Sequence, residues 1–369
     1  MTSVVGTAGE RPGRLLSLDA LRGLDMFFLV GFGGIFRALP SLSDNSVFRF
    51  LSEQCRHPDW HGFTLWDMIF PLLLFIVGVA IPFSFAKRLA APDGRKQLYK
   101  HMVVRAVVLT LLGLVYWGEP GGAHPKWGYY SVLYRIAVGY LCAGLIVLNA
   151  RAVGQALWAG GLLAAYWAAT RFVPVPGYGA GVFTEQGCLQ SYVLERLAEL
   201  VGPNCRYLFS ITLIPSVSIV LWGALCGQWL RSSKGPRAKW VGLIAAGSLL
   251  TLGGLLAHQS VPINKKMWSA SFTLLAGGLS TLLLGLFYWL IDVRGYRKWS
   301  LFFVVVGMNP ITIYLVSRLV DFWRMARVFV GGFDELLGPA APVVTAVTAA
   351  GLKWLFLYYL YVKKIFIRI

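Results

Sequence analysis

Long apolar runs, separated by short polar gaps, occupy nearly the whole 369-residue chain. A helix needs about 20 apolar residues to cross the hydrocarbon core of a bilayer, and ten runs approach or exceed that length. None of them alternates polar and apolar residues as the strands of a membrane barrel do. The pattern therefore predicts an all-α, polytopic integral membrane helical bundle, because a helix satisfies its own backbone hydrogen bonds in lipid. The ten predicted spans are residues 18–39, 63–86, 102–117, 131–148, 155–170, 207–230, 240–257, 268–291, 300–320 and 341–361.

The overall composition agrees with a chain whose solvent is lipid. Hydrophobic residues make up 57% of the chain and charged residues only 14%. This balance excludes a water-soluble domain of the same length. We expect residues 1–17 to be a cytoplasmic N-terminal segment and residues 18–369 to form a single transmembrane domain.

The formal net charge of +18 has a strong bias along the chain. Of the 34 Lys and Arg residues, 19 lie in or beside alternate gaps that include both termini, 10 lie in the opposite gaps and 5 lie inside spans. Cytoplasmic loops are the ones that carry the excess of basic residues. The asymmetry predicts that both termini are cytoplasmic, and it accounts for the basic charge without a nucleic-acid partner.

Five cysteines follow no spacing that is typical of a metal site, so no metal is predicted. Cys188 and Cys205 fall in the longest extracytoplasmic loop, residues 171–206. In an oxidising compartment they could form a disulfide or stay as free thiols, because sequence does not supply the geometry of the bond.

Three charged residues begin the first span. Asp19 and Arg22, and then Arg22 and Asp25, stand three residues apart on one helix stripe. One interpretation is a structural cluster whose charges neutralise one another. The other is a polar lining for a phosphate-bearing ligand, with Arg22 as its anchor and Asp25 beside it. The pattern leaves both open.

The gap before the second span carries the clearest candidate chemistry. His57 and His61 flank Trp60, and Asp67 follows in the first turn of the span. A histidine titrates near neutral pH and can take a proton or carry an acyl group, and a carboxylate can orient it. The alternative is that both histidines are ordinary loop residues beside interfacial tryptophans. We take His57 and Asp67 as candidate catalytic residues and Trp60 as a candidate binding residue.

Further polar residues fall at the same side of the predicted bundle. Arg135 lies one turn into the fourth span, and Asn264, Lys265 and Trp268 precede or open the eighth. Asn309 lies within the ninth span, where a buried amide needs a partner. These five residues are candidate binding residues, or else structural contacts between helices.

Six motifs, in chain order, resemble those of the heparan-alpha-glucosaminide N-acetyltransferase family. They extend over about residues 14 to 320. The motifs are Ser17-Leu18-Asp19-Ala20-Leu21-Arg22-Gly23, His57-x-x-Trp60-x-Gly62-x4-Asp67-x-x-Phe70-Pro71, Leu133-Tyr134-Arg135, Pro262-Ile263-Asn264-Lys265-Lys266-Met267-Trp268, Asp292-Val293-Arg294-Gly295 and Gly307-Met308-Asn309.

The resemblance implies an acyltransferase domain over residues 18–369, with acetyl-CoA as donor and an amino sugar or terminal glucosamine as acceptor. It implies a homodimer in a bacterial cytoplasmic membrane, and a catalytic histidine that corresponds to His57. The acetyl group could pass through an acetyl-histidine or move directly with histidine as base. A multi-span transporter of a small polar solute and an O-acyltransferase for envelope polysaccharide are the alternative functions.

Overall fold

The computed structural model describes residues 15–117, 131–202 and 206–367. Most of the predicted cytoplasmic N-terminal segment and Cys205 lie outside these residues, so the segment and the Cys188–Cys205 pairing stay predictions. The helices of the first half are α1 Leu16–Phe27, α2 Gly33–Ala38, α3 Ser46–Gln54, α4 Leu65–Leu89, α5 Gly94–Trp117, α6 Val132–Asn149, α7 Ala152–Phe172 and α8 Leu189–Val201. Those of the second half are α9 Leu213–Arg231, α10 Pro236–Ala257, α11 Ala270–Phe287, α12 Ser300–Gly307, α13 Pro310–Leu319, α14 Phe322–Val330, α15 Asp334–Leu337 and α16 Ala341–Val362. A two-stranded antiparallel hairpin, β1 Pro174–Val175 and β2 Gly179–Ala180, follows α7.

Within these residues, eight helical segments are long and apolar enough to cross a membrane. A ninth span is obtained when α12 and α13, which meet at an angle of 71°, are counted together. The prediction of an all-α polytopic membrane protein is confirmed. Helix α7, Ala152–Phe172, covers the predicted span at 155–170 but is not among these eight segments. The count of ten spans and the cytoplasmic location of both termini stay predictions.

The centre of the bundle is built on α4, which packs closely against α9. At Gly78 on α4, a Cβ atom would collide with the carbonyl oxygen of Val220, and at Gly223 on α9 one would collide with that of Phe75. Small residues at such crossings let two backbones approach within van der Waals contact. The contact fixes the start of α4 relative to the start of α9, and both starts contribute to the site described below.

The loop between α10 and α11, residues 258–269, lies at the same end of the bundle as the start of α4. The two helices pack against each other along their length, so their connection is held at one end. The Gly62 N–H donates to the carbonyl of Ile263 at 3.0 Å, which joins this loop to the segment before α4. Two polar segments that are 200 residues apart in the chain are thereby in contact.

Candidate active site

His57 and Asp67 form a hydrogen-bonded pair at the beginning of α4. His57 Nδ1 lies 2.7 Å from Asp67 Oδ1. The Asp67 side chain is buried, whereas that of His57 is 49% exposed. Because an ionised carboxylate only accepts hydrogen bonds, Nδ1 carries the hydrogen and Nε2 is the basic nitrogen. The pair can therefore present a proton acceptor at an accessible surface.

The local sequence explains why the Asp67 carboxylate is fixed. Thr64 is the N-cap of α4, and Asp67 stands three residues later in a capping box. Asp67 Oδ2 accepts from the Thr64 backbone N–H at 3.1 Å and lies 3.2 Å from the Thr64 hydroxyl. The carboxylate thus has one oxygen held by the helix start and the other on His57, and the positive end of the helix dipole favours its ionised form.

Lys265 completes a three-residue cluster with this pair. Its Nζ lies 3.4 Å from Asp67 Oδ1 and 3.4 Å from each ring nitrogen of His57. Burial lowers the pKa of Lys265 to about 8, although the neighbouring Asp67 carboxylate acts in the opposite direction. The ammonium is the charged form at neutral pH, and it faces both nitrogens of the candidate base.

Asn264 holds the Lys265 loop in place. Its Nδ2 donates to the Trp60 carbonyl at 2.6 Å, and its Oδ1 accepts from the Met267 N–H at 2.8 Å. The side chain is fully buried and satisfied by these contacts. Trp268 ends the turn with a φ of 52°, a left-handed conformation that is uncommon for a residue with a side chain. Asn264 therefore acts in this geometry by positioning the loop.

Arg135 is buried beside the loop, against the ring of Trp268. The guanidinium carbon lies 4.5 Å from the centre of that ring. Nη1 donates to the Thr212 carbonyl at 3.0 Å and to Ser216 Oγ at 2.8 Å, and Nη2 donates to Thr212 Oγ1 at 2.7 Å. Its positive charge also contributes to the lowered pKa of Lys265. Sequence reasoning missed Thr212 and Ser216, because isolated hydroxyls before an apolar span give no distinctive signal.

Trp60 connects the cluster to the long loop that follows α7. The indole Nε1 donates to the Phe183 carbonyl at 2.6 Å. Lys266 Nζ lies 5.5 Å from the centre of the Trp60 ring and 3.6 Å from Glu185 Oε1. The loop residues Phe183 and Glu185, which the sequence did not single out, therefore border the candidate site.

His61 is held in a different way from His57. Its Nδ1 lies 3.3 Å from Asn264 Nδ2, and the nearby His258 Nδ1 accepts from the Ile263 N–H at 3.0 Å. Burial, and then the electrostatic effect of the neighbouring His258, lower the pKa of His61. A neutral ring that faces an amide donor suits a structural contact. The geometry favours His57 over His61 as the candidate base.

The comparisons with known proteins agree with the motifs. A family described as a domain of unknown function, DUF5009, matches residues 14–117, which include His57 and Asp67. The chain is 23% identical to heparan-alpha-glucosaminide N-acetyltransferase from Mus musculus, over 98% of its own length and 62% of the relative. It is 24% identical to the protein of the same name from Homo sapiens, over 97% of its length and 60% of the relative. The chain is a distant relative of these acetyltransferases. It spans about 60% of their length, and the resemblance drawn from its motifs is confirmed.

Arg22 and Asp25, the residues considered as part of a donor site, lie on α1 and not in the His57 cluster. Arg22 Nη1 lies 3.3 Å from Asp19 Oδ1 within the same helix. Asp25 is buried, and neither carboxylate oxygen has a hydrogen-bond partner among the described residues. Of the predicted cluster of three neutralising charges, only the Asp19–Arg22 pair is therefore formed.

Asn309 also lies away from the cluster, at the break between α12 and α13. Its Nδ2 donates to the Ile365 carbonyl at 2.9 Å, and its Oδ1 accepts from the Ile367 N–H at 3.1 Å. The sequence predicts a partner for this intramembrane amide, and the segment after α16 is that partner.

Over the part of the chain that the structure describes, no group of three or more His, Cys, Asp or Glu side chains is arranged to hold a metal ion.

Proposed function

We propose that this protein is a membrane-bound acetyltransferase, which moves the acetyl group of acetyl-CoA to the amine of a glucosamine-type sugar. The observation that carries the proposal is the His57–Asp67–Lys265 cluster, in a chain related to acetyltransferases over nearly its whole length. The donor binds from the cytoplasm and the acceptor from the other side of a bacterial cytoplasmic membrane, and the working unit is a homodimer. This sidedness rests on the distribution of basic residues.

His57 acts on the acceptor amine through Nε2. As the amine nitrogen bonds to the acetyl carbon, Nε2 takes a proton from that nitrogen, and the bond between carbon and the CoA sulfur breaks. Asp67 keeps the hydrogen on Nδ1 and stabilises the imidazolium that forms. The CoA thiolate leaves and receives the proton that Nε2 took from the amine, which returns His57 to its neutral form and balances the reaction.

The same geometry permits a two-step form. Nε2 then attacks the acetyl carbon itself, and CoA leaves as thiolate. The amine next attacks the acetyl-His57 intermediate, the bond between the acetyl carbon and Nε2 breaks, and the proton lost by the amine passes to the thiolate. Both forms require a basic Nε2 and an intact pair with Asp67.

Lys265 supplies positive charge where the acetyl oxygen becomes negative. An ammonium 3.4 Å from Nε2 can donate to a carbonyl oxygen that lies beside the reacting atoms. Arg135, Trp268, Asn264 and Trp60 hold the loop and the ring that set this position. We assign them to positioning and to the walls of the acceptor site.

The donor reaches His57 through the bundle. The hydrocarbon core is about 30 Å thick, which is longer than a pantetheine arm, so CoA must enter between helices. Arg22, in the middle of α1, is the proposed anchor for its phosphates, and the buried Asp25 carboxylate is a polar group farther along the same helix. Asn309, which is engaged by the segment after α16, is proposed to border this path.

The direct test is transfer of label from acetyl-CoA by purified protein to a panel of amino sugars. We expect label in an alkali-stable amide of glucosamine. Alkali-labile label would indicate an O-acyltransferase, and uptake of a sugar into vesicles without acetylation would indicate a transporter. Either result would overturn the proposal.

A further inference from the structure

The first membrane span is broken at Gly31. Its apolar pattern predicts a continuous helix, but α1 ends at Phe27 and a five-residue π-helical segment, Phe28–Phe32, leads into α2. Gly31 has a φ of 109°, which glycine adopts at no steric cost. The Val30 carbonyl, directly before the break, accepts a hydrogen bond from Lys353 Nζ of α16.

A cavity of about 360 Å³ opens beside this break, between α2, α14 and α16. Buried methyl groups of Ala346, Ala349 and Ala350 form its floor. Arg37 and Trp323 are exposed at its rim. Together with the nearby Lys353, the lining combines two cationic groups with an apolar base.

The charges of Arg37 and Lys353 are only partly compensated. The Arg37 guanidinium lies 5.2 Å from the centre of the Trp66 ring, and Lys353 Nζ lies 5.4 Å from that of Phe322. Among the described residues, no carboxylate lies within 4.0 Å of either cation. The nearby Asp321 side chain instead caps α14 by accepting from a backbone N–H at 2.9 Å.

A comparison of energies indicates that an anion completes this cavity. A basic residue in the middle of a membrane helix, as Lys353 is in α16, costs about 2.5–3.5 kcal/mol on insertion scales. A cation–π contact returns roughly 0.5–2 kcal/mol, depending on exposure. Two cations that face one cavity are therefore best satisfied by an anionic group placed between them.

The chemistry of the lining selects the kind of anion. A guanidinium fork and an ammonium together match a phosphate group. The alanine floor and the exposed Trp323 ring suit apolar atoms, which a free inorganic anion does not have. Basic pockets between transmembrane helices are suited to lipid head groups. We propose that this cavity binds the phosphate group of a membrane lipid, with Arg37 and Lys353 as its two cationic donors.

The cavity is linked through Arg37 to the start of α4, which carries Asp67. The Trp66 ring, on which Arg37 stacks, belongs to the residue before Asp67. Two kinds of lipid therefore offer the phosphate group that this cavity fits. It belongs either to a bulk anionic phospholipid or to a lipid that carries the acceptor sugar, and the second source rests on the proposed function.

Binding is tested on full-length protein in nanodiscs of phosphatidylcholine, with and without phosphatidylglycerol. Native mass spectrometry counts retained phosphatidylglycerol, and a thermal melt measures the gain in stability. We expect wild type and the control Arg324→Gln, an exposed arginine of α14 outside the cavity, to retain the lipid and gain stability. Arg37→Gln should lower affinity about 10-fold or more, as expected for loss of a charged hydrogen bond. Retention equal to the control would overturn the proposal.

Lys353→Gln is the second variant. Because Lys353 also supports the break at Val30, lipid retention is measured only on the folded fraction of this variant.

The source of the lipid phosphate is decided by comparing acetyl transfer to glucosamine carried on a lipid phosphate with transfer to free glucosamine. A KM that Arg37→Gln raises only for the lipid-linked sugar assigns the site to the acceptor. Unchanged transfer with lost phosphatidylglycerol binding assigns it to bulk phospholipid. If the wild-type protein transfers no acetyl group, the proposed function is refuted. The lipid-binding measurements still test whether the cavity binds a lipid phosphate.

Discussion

Replacing Asp67 by Asn removes the charge that orients His57 and leaves the side-chain shape unchanged. The Asp67 carboxylate accepts from His57 at 2.7 Å and is buried, so water does not substitute for it. Hydrogen bonds to charged groups contribute about 1.5–3 kcal/mol, and about 1.4 kcal/mol corresponds to a factor of ten in rate. The loss of this one bond therefore predicts a fall in kcat of about 10- to 100-fold.

The assay is steady-state acetyl transfer, with acetyl-CoA affinity measured on the same preparation. We expect Asp67→Asn to lower kcat and to leave the affinity for acetyl-CoA near that of wild type. The matched control is Asp59→Asn, an exposed carboxylate in the same segment, which should retain full turnover. If Asp67→Asn kept the wild-type kcat, the orienting role and the charge pair would both be refuted.

The site and the charge pattern are also tested by pH, by substitution at Arg135 and by labelling from outside. Transfer should fall as pH rises through about 8, where the Lys265 ammonium loses its proton, and Lys265→Arg should move this limit to higher pH in a pH–rate profile. Arg135→Lys should lower both the melting temperature and transfer, because an ammonium cannot reach Thr212 and Ser216 together; unchanged values would exclude the forked contact. For topology, an impermeant thiol reagent added outside should label Asp44→Cys and miss Lys96→Cys, and the reverse pattern would invert the orientation.

The apolar pattern predicted the long helices well, their ends less well and the short helices α3, α8, α14 and α15 not at all. Helix α5 begins at Gly94, whereas the predicted span began at residue 102, because the basic residues of its first turns were taken as loop. Long basic side chains can extend to the interface from within a helix, so charge does not mark where a helix begins. The breaks at Gly31 and Asn309 were also missed, since hydropathy does not report backbone geometry.

The candidate site was partly visible in the sequence for a physical reason. His57 and Asp67 are ten residues apart in one continuous segment, and the capping box at Thr64 fixes Asp67 where that segment enters α4. The contact between Lys265 and this pair depends on how α10 and α11 pack, and no spacing in the chain encodes it. Asn264 and Arg135 were candidates for substrate binding or for structural contacts, and the hydrogen bonds that fix their positions come from segments distant in the chain, which no local pattern reveals.

The most direct measurement of the central claim compares His57→Ala with His61→Ala in single-turnover acetyl transfer. Both variants are measured for acetyl-CoA affinity on the same folded preparation. We predict that His57→Ala lowers transfer by at least about 10²-fold, the low end for loss of general-base catalysis, while acetyl-CoA still binds. His61→Ala should change transfer much less. Near-normal turnover by His57→Ala, or equal loss in both variants, would contradict the account.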